Sequence, residues 1–144
     1  MKRFAPLIAL AALAACETVS TTPGATPSVT APMVGELSLG DGWRTQTQAQ
    51  TLDAFARTVS QRYGQGTPTA RAVADLQHAS FTCAENQDTT GRGTPPYEIC
   101  RRTEVASGCT HTWQVHLFGA SFLSRARALY DRRCGSDALL GGPS

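Results

Sequence analysis

Five cysteines and three histidines are the residues of this 144-residue chain best suited to chemistry. Cys83, Cys100, Cys109 and Cys134, with His111 beside them, supply the donor types of a tetrahedral zinc site. No two of these cysteines stand in the close C-x(2–4)-C pairing that anchors structural zinc, so no metal ligand is expected among them. An even set of cysteines in an oxidising compartment reads first as two disulfides. The hydrolase signatures G-x-S-x-G and H-E-x-x-H and the redox pair C-x-x-C are all absent, and His78, His111 and His116 have ordinary structural explanations. His111 is expected on an apolar strand face near Arg132, at a sheet edge, and His116 on the polar face. The only lysine is Lys2, which removes Schiff-base chemistry, lysine bases and a Walker-type phosphate loop from consideration in the rest of the chain. No catalytic residue and no cofactor are expected. What remains is arginine: Arg125, Arg127 and Arg133 share a two-residue period with Gln114 and His116 across a prospective hairpin. Forked guanidinium donors suit carboxylates, phosphates and partner interfaces.

These residues need elements to hold them, and the chain begins with a segment of another kind. Lys2 and Arg3 precede an apolar run from Phe4 to Leu13, followed by Ala14, Ala15 and Cys16. A basic start, a short apolar core and small residues form the layout of an export signal. A helical span of a bilayer needs roughly 17 to 25 residues, so this run is too short to be a lasting transmembrane helix. Leu13-Ala14-Ala15-Cys16 resembles the lipobox of bacterial lipoproteins. That resemblance implies cleavage before Cys16, a diacylglyceryl thioether on its sulfur and acylation of the new amino group. Two or three acyl chains anchor stably where one does not. The same resemblance implies a location in the cell envelope, facing the periplasm. Glu17, rather than the aspartate that retains such proteins at the inner membrane, favours the outer membrane.

With Lys2 and Arg3 removed, 13 basic residues become 11, against 11 Asp and Glu, so the mature chain is formally neutral. A neutral chain gives no general attraction to nucleic acid. Residues 16–40 carry the lipidated cysteine and a run rich in Thr, Ser, Pro and Gly with no periodic apolar face; they read as a flexible tether. A coil of that length reaches roughly 25 to 30 Å. Residues 41–136 form one small domain, of the size at which disulfides help, and 137–144 read as a disordered tail.

Within the domain, Leu52, Phe55, Ala56, Val59 and Tyr63 fall on one helical stripe, with Gly64 placed to end it in a left-handed cap. Thr67 is positioned to cap a second helix, with Pro68 in its first turn and Val73, Leu76 and Ala79 as its apolar stripe. The period then changes. His111, Trp113, Val115 and Leu117 alternate with Thr112, Gln114, His116 and Phe118, which is strand patterning. Residues 122–133 have helix-favouring composition, but register argues for strand. If Cys109 faces Cys134 in an antiparallel pair, Trp113 meets Tyr130, Val115 meets Ala128 and Leu117 meets Ala126, so one register gives both an apolar face and a permitted disulfide. The same reasoning pairs Cys83 with Cys100 across strands near 80–85 and 97–103. Arg101 and Arg102 are then solvated or paired with Glu98 or Glu104.

The expected class is α+β: two N-terminal helices packed on a three- or four-stranded antiparallel meander with two disulfides. With the lipobox at Cys16, the Gly66-Thr67 opening of the second helix, Val73 and Leu76, and a meander ending in Trp113-Gln114-Val115, the chain resembles the SmpA/OmlA-type outer-membrane lipoproteins of the β-barrel assembly machinery and the related β-lactamase-inhibitor-like folds. The resemblance implies a non-catalytic, membrane-anchored protein-interaction or assembly module with an envelope protein as partner. The alternative is a periplasmic inhibitor or ligand-binding lipoprotein that uses the same arginine-bearing face.

Overall fold

The computed structural model of the protein describes residues 33, 35–88 and 90–135. The leader, Cys16, most of the tether and the tail 137–144 lie outside the described residues. Helix α1 (Gln48–Arg62) starts at Thr47, whose hydroxyl accepts from the Gln50 amide at 3.2 Å while the Gln50 side chain accepts from the Thr47 amide at 3.1 Å. This reciprocal box satisfies two backbone donors that the first helical turn leaves open. Thr51, Phe55 and Val59 make the buried stripe, continued by Tyr63; Leu52 and Ala56 flank it.

Two details of the helix boundaries differ from the sequence reading. The left-handed residue after α1 is Gly66, with φ 84°, and not Gly64. The turn is set further along because the Gly66 amide donates to the Leu123 carbonyl at 2.8 Å. Helix α2 (Thr69–His78) takes Pro68 as its N-cap, with no side-chain cap from Thr67. The Thr69 amide instead donates to the Ser121 carbonyl at 3.0 Å, and the Thr69 hydroxyl to that of Gly119 at 2.8 Å. A long-range partner has replaced the local one. Both helices lie mid-chain rather than at the N-terminus, and both precede the strands.

Four strands follow: β1 (Thr82–Glu85), β2 (Glu98–Ala106), β3 (Cys109–Phe118) and β4 (Arg125–Cys134), in the antiparallel order β1-β2-β3-β4. Ser107 and Gly108, both at positive φ, form the two-residue turn between β2 and β3 that matches strand twist. Residues 125–134 are strand, with Cys109 opposite Cys134, Trp113 opposite Tyr130, Val115 opposite Ala128 and Leu117 opposite Ala126. Cys83 stands opposite Cys100, and both cysteine pairs are disulfides. Ten cross-strand pairs with β3 thus outweigh the helix-favouring composition of β4.

The helices cover one face of the sheet, where Cys100, Trp113, Val115, Leu117 and Tyr130 meet Phe55, Val59, Tyr63 and Leu76. Burying each large apolar side chain contributes about 1.5–3 kcal/mol. The folded region also begins before Asp41, where the tether was expected to end. Leu37 and Trp43 are buried in the core, and the Trp113 indole donates to the Leu39 carbonyl at 3.2 Å. This strap is fastened by Asp75, which the stripe reading of α2 passed over. The Asp75 carboxylate accepts from Arg62 at 2.6 and 2.7 Å, from the Tyr63 hydroxyl at 2.7 Å and from the Met33 amide at 2.8 Å. Arg62 in turn donates to the Gly35 carbonyl at 2.7 Å. Among the described residues no helix is long and apolar enough to cross a membrane.

Candidate functional site: the outer face of the sheet

Strand alternation sends every second residue away from the helices. On β3 these are Thr110, Thr112, Gln114, His116 and Phe118. Their partners are Arg133, Asp131, Leu129, Arg127 and Arg125 on β4, and Val105, Thr103, Arg101 and Ile99 on β2 for all but Phe118. All five residues singled out from the sequence, Gln114, His116, Arg125, Arg127 and Arg133, therefore share this outer face. Arg101 joins them, opposite Gln114. Its neighbour Arg102 turns inward, donating to Glu104 at 2.7 Å and to the Ala79 carbonyl at 2.9 Å. The signal for Arg101 was the Ser107-Gly108 turn, which fixes Ala106 opposite Cys109 and carries the parity down β2.

The face divides into two ends. Arg101, Gln114, His116, Arg125 and Arg127 gather toward the β3–β4 connection, whereas Arg133 lies six residues along β4 from Arg127, roughly 20 Å away at strand rise. Arg133 is engaged there by Asp131 at 2.8 Å, a half-exposed pair of the kind that adds little stability. Arg125 lies over the Phe118 ring, 4.0 Å from its centroid. His116 is half-buried, and its Nε2 stands 3.3 Å from the Gln114 side-chain oxygen. Burial, aided by the charges of Arg127 and Arg101, holds the His116 pKa below the ordinary imidazole value. The central group is thus a neutral imidazole and a carboxamide, with Ile99 and Leu129 beside them and arginines around. Four arginines and one acid, Asp131, occupy the outer positions of β2, β3 and β4.

His111 is not at a sheet edge. It sits on interior strand β3, 2% exposed, with Nδ1 2.6 Å from the Tyr130 hydroxyl and its ring edge-on to Trp43 at 4.6 Å. Burial lowers its pKa, a backbone hydrogen bond at Ala106 opposes this, and Arg132 and Arg44 add to the lowering. The disulfides Cys83–Cys100 and Cys109–Cys134 occupy all four domain thiols. Among the described residues no three His, Cys, Asp or Glu side chains converge as metal ligands. No family model, curated protein or solved structure matches the chain.

Proposed function

We propose that the protein is a non-catalytic envelope lipoprotein, held at the membrane through acyl chains on Cys16, whose α+β domain is a protein-interaction module. An assembly role of the kind held by the SmpA/OmlA-type lipoproteins it resembles is part of this reading, with the outer membrane as the favoured location. The observation that carries it is the outer sheet face: both helices pack on the other side, and the open side gathers Arg101, Arg125, Arg127 and Arg133 against a single acid. Arg101 and Arg127 form no ion pair among the described residues, so their donors are available to a partner. Desolvated arginines at the centre of an interface are frequent binding hot spots.

Photo-crosslinking in intact cells tests this. A crosslinking residue in place of Gln114 is expected to capture a discrete envelope protein, and one in place of Gln61, on the exposed side of α1, to capture none. Arg101→Glu combined with Arg127→Glu should remove the adduct while far-UV dichroism stays unchanged. Equal adducts from both faces, or none from position 114, would contradict the reading. If the captured protein is an enzyme inhibited by the native chain and not by the charge-reversed one, the same face serves an inhibitor instead.

A further inference from the structure

A second site lies on the opposite side of the molecule from the arginines, between α2 and the start of β2. Ala70, Val73 and Ala74 of the helix, the Tyr97 ring, Glu98 and Ala120 line an open groove of about 500 Å3. Its walls are mostly apolar; Thr69 and Gln77 add neutral polar groups, and Glu98 is the one charged side chain that lines it. Glu98 is the cross-strand partner of buried Leu117, so it points to the helix-covered face of the sheet. No basic side chain among the described residues pairs with it. Its other cross-strand partner is Glu85, a like charge directly opposite. An inward charge on an edge strand is explained as protection against edge pairing. Glu85 on edge strand β1 meets that description, but Glu98 stands on interior strand β2. Burial, with Glu85 second, raises the Glu98 pKa, as expected of a carboxylate held against apolar surface without a cation.

Binding sites for small molecules are mostly apolar concavities of this size with a few placed polar groups. We infer that the groove binds an organic cation with an apolar body, its ammonium group paired to Glu98 and its body lying on Val73, Ala74 and Tyr97. The pairing supplies the opposite charge that the fold leaves out at this position, and the apolar walls select against small hydrated ions.

The test uses the full chain in detergent at pH 8 and three probes of one shape: phenethylamine, 2-phenylethanol and 3-phenylpropionate, followed by NMR of the alanine and valine methyl groups. Phenethylamine is expected to shift Ala70, Val73 and Ala74, binding at least tenfold more tightly than the alcohol, with no shift from the carboxylate. Glu98→Gln should bring amine and alcohol to equal affinity. The same substitution should also raise the melting temperature of the free protein, because it removes an uncompensated charge facing Glu85. Equal binding of amine and alcohol to the native chain, amine shifts that map elsewhere, or a lowered melting temperature in Glu98→Gln would each overturn the inference.

Discussion

Asp75 shows how much a single buried charge organises here. Four donors converge on its carboxylate, two from Arg62, one from Tyr63 and one from the Met33 amide, and through them the strap before α1 is tied to both helices. Burial by itself would raise the Asp75 pKa; the hydrogen bonds from Arg62, Tyr63 and Met33 outweigh it and hold the carboxyl below its ordinary range. A depressed carboxylate contributes stability that is present above the unfolded value of about 3.9 and is lost as pH falls through the lower folded value. Asp75→Ala leaves Arg62 beside an empty position and is expected to cost about 3–5 kcal/mol, read by urea unfolding at pH 7. His111 has the same sign for a different reason. Its folded pKa is lowered, so as pH falls below about 6.5 the unfolded chain takes up the proton first and stability declines. The groups facing it are Tyr130 and Arg132 of β4, Arg44 of the strap and Glu104 across on β2. The urea midpoint should therefore drop between pH 7.5 and 5, with a smaller drop in His111→Gln; an identical drop in both would contradict the burial account.

At the scale of elements, the connection from β3 to β4 is the most constrained turn. Gly119 has φ 112°, and a Cβ there would stand 2.2 Å from the Phe122 carbonyl oxygen. Gly119→Ala is accordingly expected to cost roughly 3 kcal/mol or more, since neither the dihedral nor the contact can relax without moving backbone. The disulfides staple the hairpins this turn and the preceding loop create, spanning 17 and 25 residues. Replacing Cys109 and Cys134 together by serine should lower stability by about 3 kcal/mol in a thermal melt under oxidising conditions, and reducing the native chain, which opens both disulfides, should lower it at least as far. The sheet was legible because independent constraints agreed on it: a cysteine pair, an apolar alternation and a turn all demanded one register for β3 and β4. Helix boundaries were less legible. Gly64 and Thr67 have the local chemistry of caps, yet the backbone groups near them bond to Leu123 and Ser121, more than fifty positions away, and local chemistry carries no trace of that.

For the whole molecule, the class of fold and the grouping of Gln114, His116 and the arginines on one face followed from strand parity. The early boundary of the domain did not, because Met33 and residues 35–40 have the composition of a linker and are held by Asp75, Arg62 and Trp113 and by the burial of Leu37. The Cys83–Cys100 register puts Glu98 with Glu85 on the cysteine face, but the groove beside Glu98 was hidden, since Ala70, Val73, Ala74 and Ala120 lie far away in sequence. The domain that results is two-sided, with arginines on the open sheet and an unmatched carboxylate on the helix side. Under the proposed function, that asymmetry assigns the open sheet to a protein partner and the helix side to small molecules. The proposed envelope setting depends on one covalent event, the lipidation expected at Cys16. The most direct measurement is the intact mass of the chain isolated from membranes. The account predicts a product starting at Cys16 and carrying a diacylglyceryl group, with or without an N-acyl chain. A species that retains Lys2 and Arg3, or one beginning at an unmodified residue, would contradict it.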